Sequence, residues 1–238
     1  MNGDDMTDIK GAVVLVTGGG RGLGKALAAE ALARGASKVY ATARDPRTIE
    51  ATDVVPLALE VTDPASVAAL AEQTQDVTIL INNAGVYHAA SYLTGDVADV
   101  RADFETNFYG PLLLTRAIVP QIVNNGGGHV LNVASVLSRI AIGGSYSGSK
   151  AALWSMTNSL RLELLERGVG LTGLHVGYMD TDMAAGVTDF KTTPAEVARL
   201  ALDGVQAGAF EVLADEITRQ VRSGLSADVT AIYPQLVA

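Results

Sequence analysis

The chain has 238 residues, of which 48% are hydrophobic and 18% charged, which supplies the core of one large α/β domain or of two small ones. A formal net charge of −9 argues against a nucleic-acid partner and against anionic membranes, because both favour basic protein surfaces. The absence of cysteine excludes disulfides, thiolate catalysis and cysteine-ligated zinc. The three histidines are widely spaced and none lies in an H-E-x-x-H pattern, so we predict no metal site.

The N-terminal residues and the lack of internal breaks indicate how the chain is organised. Residues 1–8 are polar and acidic and lack the basic and apolar regions of a secretion signal. No apolar run is long enough to span a membrane. We therefore expect a cytoplasmic protein whose residues 1–8 are flexible. No linker, internal repeat or low-complexity segment divides residues 1–238, so we predict a single domain.

The first predicted unit is a strand, a glycine-rich turn and a helix. Residues 12–16 have the apolar, β-branched composition of a buried strand, and residues 25–33 have the composition of a helix. The glycines between them let a ligand approach the backbone, and a helix N-terminus offers unpaired N–H groups and a positive dipole end. This order predicts a cradle for a phosphate group.

Three nucleotide motifs compete for this turn. The dinucleotide pattern G-x-G-x-x-G fails, because its last position falls on Leu23 or Lys25. A Walker A loop over residues 19–25 lacks its magnesium-binding Ser or Thr, since the next residue is Ala26. The pattern Thr-Gly-x-x-x-Gly-x-Gly is complete over residues 17–24.

That complete pattern resembles the glycine motif of the short-chain dehydrogenase/reductase family, whose cofactor is NAD or NADP. Later motifs carry the same resemblance in the same order, over about residues 8–215, although Val176 stands where the family usually has proline. The residues that carry it are Asn82–Gly85, Asn107, Ser135, Tyr146, Lys150, Gly177 and Thr181.

Apolar runs and helical patterns alternate along the rest of the chain. Further strands are predicted at residues 38–43, 54–61, 77–81, 129–133, 171–176 and 210–213. Helices are predicted at residues 64–73, 96–106 and 111–123, from Lys150, from Pro194, and near the C-terminus. Together with the resemblance, this predicts a single doubly wound α/β domain of the Rossmann type. Its seven-stranded sheet is expected to be mostly parallel, with helices on both faces.

Tyr146 and Lys150 form the candidate proton-transfer pair. They are four positions apart at the start of a helical pattern, and positions i and i+4 share a helix face. A nearby ammonium favours the phenolate, so we expect Lys150 to lower the pKa of Tyr146. A tyrosine tuned in this way can pass a proton to or from an oxygen.

The resemblance implies a catalytic tetrad of Asn107, Ser135, Tyr146 and Lys150. Ser135 is expected to hydrogen-bond the substrate oxygen, although Ser138 is a rival and the spacing to Tyr146 is about two residues short. Asn107 is expected to position a water in a proton relay, through a backbone carbonyl freed where Gly110 and Pro111 interrupt the helical pattern.

The end of the second predicted strand indicates the choice of cofactor. The family's position for a ribose-binding acid is Ala43, and Arg44 follows it, so a guanidinium is available for the extra phosphate of NADP. Arg21 lies in the glycine turn and is expected to close on the same phosphate. We therefore expect NADP(H) rather than NAD, with Asp45 as the residue that would favour NAD.

The resemblance implies a set of cofactor contacts along the carboxyl ends of the strands, with Asp63 at the adenine and Thr181 at the nicotinamide. Thr62 or Asp63 is also expected to be the N-cap of the helix that begins at Pro64, a role that is compatible with the adenine contact. The expected contacts are Thr17, Gly18, Gly20, Arg21, Gly22, Leu23, Gly24, Arg44, Val61, Asp63, Asn83, Ala84, Gly85, Tyr146, Lys150, Gly177, Met179, Thr181 and Met183.

The expected activity is NADP(H)-dependent oxidoreduction between a carbonyl, such as a hydrophobic ketone or aldehyde, and the corresponding alcohol. The alternative is a catalytically silent NADP-binding sensor. Apolar residues predicted to line the substrate pocket are Ile140, Ile142, Tyr178, Met179 and Met183. Arg139 is expected to be either a solvated loop residue, the reading we favour, or an anchor for an acidic group. The resemblance also implies a homodimer or homotetramer formed through the two helices around Asn107.

Overall fold

The structure is a computed structural model that describes residues 7–186, 188 and 191–237. The flexible segment expected at residues 1–8 falls mainly on residues 1–6, which lie outside the described residues. Thr7 is described, and its Oγ1 lies 3.2 Å from Nδ1 of His129.

Seven parallel strands form one sheet in the order β3-β2-β1-β4-β5-β6-β7. The strands are β1 (Val13–Val16), β2 (Lys38–Ala43), β3 (Val55–Ala58), β4 (Ile79–Asn82), β5 (Gly128–Val133), β6 (Val169–His175) and β7 (Glu211–Leu213). The predicted α/β fold class is confirmed. The strand order reverses between β1 and β4, which opens a crevice at the carboxyl ends of these strands, where ligands bind in open α/β sheets.

Helices connect the strands and cover both faces of the sheet. They are α1 (Gly22–Ala33), α2 (Pro64–Gln73), α3 (Val97–Phe104), α4 (Gly110–Asn124), α5 (Gly144–Leu164), α6 (Pro194–Gln206), α7 (Glu216–Gly224) and α8 (Val229–Ile232). Within the described ranges, no helix is both long enough and apolar enough to cross a membrane.

Alternation along β1 explains why both faces of the sheet are buried. Val14 and Val16 pack on one face with Leu27 of α1 and Leu202 of α6. Leu15 points to the other face, in a cluster formed largely by α2 and α4. Burying each such side chain contributes about 1.5–3 kcal/mol, so the two apolar layers fix the strand ends that form the crevice.

Three element boundaries differ from the sequence prediction by three residues or more. Helix α1 begins at Gly22 and α5 begins at Gly144, both earlier than predicted, because glycines can occupy the first helical turn. Tyr146 therefore lies inside α5. Strand β3 is shorter than the predicted residues 54–61, because its pairing with β2 stops where β2 itself ends.

Candidate active site

The glycine turn presents free backbone amides at the start of α1. Gly18 and Gly22 have φ of +65° and +51°, which favours glycine over residues with a side chain. Arg21 is the N-cap of α1, and its side chain makes no capping hydrogen bond. The first N–H groups of the helix are therefore available to an anion.

Close contacts between the backbone of this turn and its neighbours explain why several of its positions are glycine. A Cβ atom on Gly24 would overlap the carbonyl oxygen of Gly18, and one on Gly18 would lie 3.2 Å from Cα of Ala84. Gly20 lies against Ile49, and the side chain of Leu23 is buried in the core. The glycines of the turn leave its backbone N–H groups accessible, as a cradle for the pyrophosphate of a dinucleotide requires.

Thr17 and Asn83 connect this cradle to the end of β4. The buried Thr17 Oγ1 accepts hydrogen bonds from the N–H groups of Asn83 (2.9 Å) and Ala84 (3.0 Å). Asn83 Nδ2 donates to the Thr17 carbonyl at 2.8 Å. These two side chains hold the floor of the crevice together.

Two arginines, Arg44 and Arg47, follow the end of β2 and differ in their side-chain contacts. Arg44 is exposed and, among the residues that the structure describes, makes no hydrogen bond or ion pair. Asp45 is engaged by Arg47, accepting from its backbone N–H at 3.0 Å and from Nε at 2.9 Å. The Arg47 side chain lowers the pKa of Asp45. This leaves Arg44 as the available charged group beside the expected ribose position.

Arg21 does not lie with Arg44 in this structure. Its Nη1 lies 3.3 Å from Oδ2 of Asp182, across the mouth of the crevice, and both side chains are exposed. An exposed pair of this kind contributes little to stability. The expected closure of Arg21 on the NADP phosphate stays a prediction, and it requires this pair to open.

Val61 and Asp63 follow β3 at the far end of the crevice. Val61 is buried against Gly110. Asp63 is exposed, and its Oδ1 caps α2 by accepting from the N–H of Ala65 at 2.9 Å. The capping role that the sequence allowed is present, and the adenine contact stays a prediction.

The loop after β6 is anchored by Asp215, a residue that the sequence reasoning missed. Asp215 Oδ2 accepts from the N–H of Gly177 at 2.6 Å, and Oδ1 caps α7 through the N–H of Thr218 at 2.8 Å. A Cβ on Gly177 would lie 2.9 Å from Ile217. This carboxylate restrains the loop in which Val176 replaces the expected proline.

The same loop reaches back to the glycine turn. A Cβ on Gly22 would lie 3.3 Å from Cγ2 of Thr181, so Thr181 lies against the glycine turn. Its contact with the nicotinamide stays a prediction. Met179 forms a single parallel bridge with Thr192. Met183 is exposed, and the cover between Thr181 and α6 includes residues 187, 189 and 190, which lie outside the described residues.

The four predicted catalytic side chains form one connected group that begins beside Gly85. Asn107 and Lys150 lie next to this glycine. Tyr146 lies beside Lys150, and the Ser135 side chain hydrogen-bonds the Tyr146 phenol. A Cβ on Gly85 would lie 3.1 Å from Oδ1 of Asn107 and 3.7 Å from Nζ of Lys150. Lys150 Nζ lies 5.8 Å from the centroid of the Tyr146 ring and donates to the Val133 carbonyl at 2.8 Å.

Ser135 completes this group. It follows β5, and its Oγ accepts from the N–H of Leu137 at 3.1 Å. The rival Ser138 is turned inward, donating from Oγ to the Ser135 carbonyl at 2.5 Å and lying 3.1 Å from Nδ1 of His175. Ser138 therefore supports the loop of Ser135 and does not face the crevice.

The prediction that Gly110 and Pro111 interrupt the helix after Asn107 is wrong. Residues Glu105–Tyr109 make one π-helical turn, and Gly110 and Pro111 continue directly into α4. Pro111 lacks the N–H that an α-helical bond to the Asn107 carbonyl would need, so that bond is missing from the helix. The expected binding of a water to this carbonyl stays a prediction. The Asn107 side chain is fully occupied by the backbone of Val86 and by Ser149 Oγ.

The expected lowering of the Tyr146 pKa is also wrong for this structure. Burial raises the pKa of the Tyr146 phenol to about 12, against a smaller lowering by the Ser135 side chain. Lys150 points to the Val133 carbonyl, and burial lowers the pKa of its ammonium to about 8. Desolvation is the main cause of both shifts, so at neutral pH the phenol is protonated and the ammonium remains largely charged.

The substrate side of the crevice is more apolar than the catalytic group. Tyr87 is half exposed, and its ring meets the Tyr146 ring edge-on at 4.7 Å between centroids. Tyr178 and Met183 expose apolar surface after β6. The suggested anchor Arg139 is wrong, because its side chain is fully buried, paired with Glu211.

Residues 12–192 match the short chain dehydrogenase family. The chain belongs to this family. A short-chain dehydrogenase from Burkholderia cenocepacia, solved in complex with NADP, is 36% identical, has a TM-score of 0.91, and is aligned over 97% of this chain and 99% of its own.

Two bacterial reductases are also similar to this family member. The 3-oxoacyl-[acyl-carrier-protein] reductase FabG of Escherichia coli is 31% identical, over 76% of this chain and 79% of the relative. The ketoacyl reductase HetN of Nostoc sp. is 29% identical, over 89% of this chain and 81% of the relative. The protein is therefore a short-chain dehydrogenase/reductase oxidoreductase that uses a nicotinamide cofactor.

Proposed function

We propose that the protein is an NADP(H)-dependent carbonyl reductase and alcohol dehydrogenase for a hydrophobic ketone or aldehyde. The observation that carries this proposal is the convergence of Asn107, Ser135, Tyr146 and Lys150 beside Gly85, at the carboxyl ends of the strands. The glycine cradle opens onto the same crevice.

The chain offers a distinct group to each part of the cofactor. The amides at the start of α1 suit the pyrophosphate, and the unengaged guanidinium of Arg44 suits the extra phosphate of NADP. We assign Lys150 to the nicotinamide ribose and Thr181 to the carboxamide. NADPH supplies the hydride for the carbonyl carbon when it is bound here.

The side chains of α5 and the β5 loop handle the proton. Ser135 and Tyr146 hydrogen-bond the carbonyl oxygen, and the neutral Tyr146 phenol donates its proton to that oxygen as negative charge develops on it. The raised pKa of Tyr146 keeps the proton in place until then. Lys150 and a water held by the Asn107 carbonyl, to which Pro111 has no N–H to donate, would provide a route by which a proton from solvent replaces it.

The apolar surface of Tyr87, Tyr178 and Met183 supports hydrophobic substrates. The two similar ketoacyl reductases add 3-ketoacyl thioesters to the candidates. Aliphatic ketones, aryl ketones, aldehydes and 3-ketoacyl thioesters therefore form the test panel.

The test measures loss of reduced-nicotinamide absorbance with each carbonyl, using NADPH and NADH in parallel. We expect carbonyl-dependent oxidation of NADPH, and slower oxidation of NADH. Binding of NADPH without oxidation by any carbonyl would instead support the silent-sensor alternative. Binding of neither nucleotide would contradict both.

We also propose that the protein forms a homodimer or homotetramer through the surface around Asn107. Large apolar side chains are exposed on both sides of this surface: Val97, Tyr109, Leu162 and Leu165. Light scattering after size exclusion tests this, and a monomer at assay concentration would contradict it.

A further inference from the structure

Asp103, on α3, is a fully buried carboxylate outside the tetrad. Its Oδ1 accepts from the backbone N–H of His88 at 3.1 Å and lies 3.1 Å from the His88 ring Nδ1. Its Oδ2 accepts from the N–H of Ala89 at 3.2 Å and from the Ser145 hydroxyl at 2.5 Å. A buried carboxylate is costly unless it is well hydrogen-bonded, and this one is surrounded by donors.

These bonds join three parts of the fold that are distant in sequence. His88 and Ala89 follow β4, Asp103 lies on α3, and Ser145 lies in the first turn of α5. Ser145 adds two direct bonds to the same segment, from its N–H to the Ala90 carbonyl (3.0 Å) and to its Oγ from the Ala90 N–H (2.9 Å).

The backbone at this junction is under constraint. Ala89 has φ of +52°, and it is the one residue other than glycine with positive φ among those that the structure describes. Such a conformation persists only where the surroundings hold it, and the Asp103 carboxylate bonds directly to the Ala89 N–H.

The junction sets the position of two aromatic rings. Tyr87 immediately precedes His88, and Tyr146 immediately follows Ser145. Their rings meet edge-on, with 4.7 Å between centroids and 63° between planes. A shift of either backbone segment would change this contact and move the Tyr146 hydroxyl within the crevice.

We infer that Asp103 is a positioning residue for Tyr146, holding the segment after β4 and the first turn of α5 in a fixed relation. This inference rests on the proposed function for the role of Tyr146 in turnover. Asp103 does not touch the reacting atoms and acts through Ser145 and the Tyr87 segment.

The charge of Asp103 adds a second, measurable effect. The ionisable groups around it are His88 and Tyr87 from the segment after β4, and Tyr146 and Lys150 from α5. Burial is the main cause of the raised pKa of Tyr146, and the Asp103 charge raises it further. The same charge opposes the lowering of the Lys150 pKa by burial.

Two variants separate position from charge. Asp103→Asn removes the charge and presents an amide N–H₂ group to the surrounding donors. Ser145→Ala removes the hydroxyl that bonds Asp103 and the Ala90 N–H, and it leaves the carboxylate and the backbone bond from Ser145 to the Ala90 carbonyl intact. Circular dichroism and thermal melts first establish which variants fold.

Three readouts are then compared with wild type. The first is amide hydrogen exchange at residues 87–90, and the second is the pH profile of kcat. The third is the ultraviolet titration of Tyr146, obtained by subtracting the titration of the same protein with the additional change Tyr146→Phe. We expect Asp103→Asn to lower kcat about 10- to 100-fold, as for loss of hydrogen bonds to a charged group. Its Tyr146 titration and pH profile should move to lower pH.

Ser145→Ala should speed exchange at residues 87–90 and lower kcat without moving the Tyr146 titration. Unchanged exchange in Ser145→Ala would overturn the positioning role, even if Asp103→Asn does not fold. An unchanged kcat and titration in folded Asp103→Asn would overturn it as well. If wild type reduces no carbonyl, the proposed function fails, whereas exchange and titration still test Asp103.

Discussion

The two sides of the crevice work by different means. The side formed by the glycine turn and the end of β2 offers backbone N–H groups and the exposed guanidinium of Arg44. The side formed by α3, the π-helical turn and α5 offers buried side chains, whose geometry depends on hydrogen bonds between distant segments. The first side suits the recognition of a charged, flexible nucleotide, and the second suits proton transfer in a desolvated site.

This difference predicts how each side responds to substitution. Changes on the nucleotide side should alter cofactor affinity and leave the chemical step intact. Changes on the buried side should mainly alter kcat, because all of the expected nucleotide contacts except those at the nicotinamide end lie on the other side. The following predictions test that division, from the largest expected effect to the smallest.

Tyr146→Phe should reduce kcat about 10²- to 10⁴-fold, the usual contribution of a general acid, with the Kd for NADPH nearly unchanged. Steady-state kinetics and fluorescence titration with NADPH measure the two quantities. Tyr87→Phe is the matched control, because the Tyr87 ring lies against Tyr146 and its hydroxyl has no assigned role. Equal losses in the two variants would refute the assignment of the proton to Tyr146.

Gly24→Ala should weaken NADPH binding strongly and destabilise the fold by about 1–3 kcal/mol, since its Cβ would overlap the Gly18 carbonyl. Isothermal titration and urea unfolding measure the two effects. Gly224→Ala serves as the control, because a Cβ there meets no atom within 4 Å. Normal NADPH affinity in Gly24→Ala would mean that the pyrophosphate does not lie in this cradle.

Mild acid should destabilise the protein through two buried histidines on the sheet. Burial lowers the pKa of His129 and of His175 to about 4, from an ordinary value of 6.5. The unfolded chain therefore binds more protons between pH 6.5 and pH 4, and the stability present above pH 6.5 is lost as the pH falls through this window. The free energy of unfolding should be about 2–3 kcal/mol lower at pH 5.5 than at pH 7.5. Urea unfolding at both pH values checks this, and an equal or higher stability at pH 5.5 would contradict it.

Arg44→Asp should raise the Kd for NADPH about 10- to 30-fold and leave the Kd for NADH unchanged or lower, because one charge-assisted contact is replaced by repulsion. Arg47→Gln is the comparison variant, since Arg47 is already paired with Asp45. We expect that variant to bind both nucleotides much as wild type does. Loss of NADPH affinity in Arg47→Gln but not in Arg44→Asp would move the phosphate site to Arg47.

Local sequence patterns were sufficient to predict the strands of the sheet and the glycine turn on the nucleotide side of the crevice. Apolar runs, alternating along the chain with helical patterns, predicted the seven strands. The glycines of residues 17–24 predicted a turn, because the steric limits on backbone conformation act within a few residues. The start of α5 and the π-helical turn were missed, since glycine and proline patterns indicate a disturbance in a helix but not its form.

The contacts and pKa values of the buried side were harder to predict from the sequence, because they depend on residues that are distant in sequence. Tyr146 and Lys150 share a helix face as their spacing predicts, yet their pKa values follow burial, which only the tertiary structure determines. Arg139 looked like an exposed loop residue, and it lies under the surface with Glu211. Asp215 precedes a helical pattern and was recognisable as a cap, but its bond to Gly177 depends on a contact between two loops.

Transfer of deuterium from NADPH labelled at C4 of the nicotinamide tests the proposed function most directly. With the best carbonyl from the panel, the account predicts deuterium on the carbinol carbon of the product, from one face of the nicotinamide. Tyr146→Phe should slow this transfer without altering its face. Bound NADPH with no deuterium in any alcohol product would contradict the assignment of the crevice as a reductase active site.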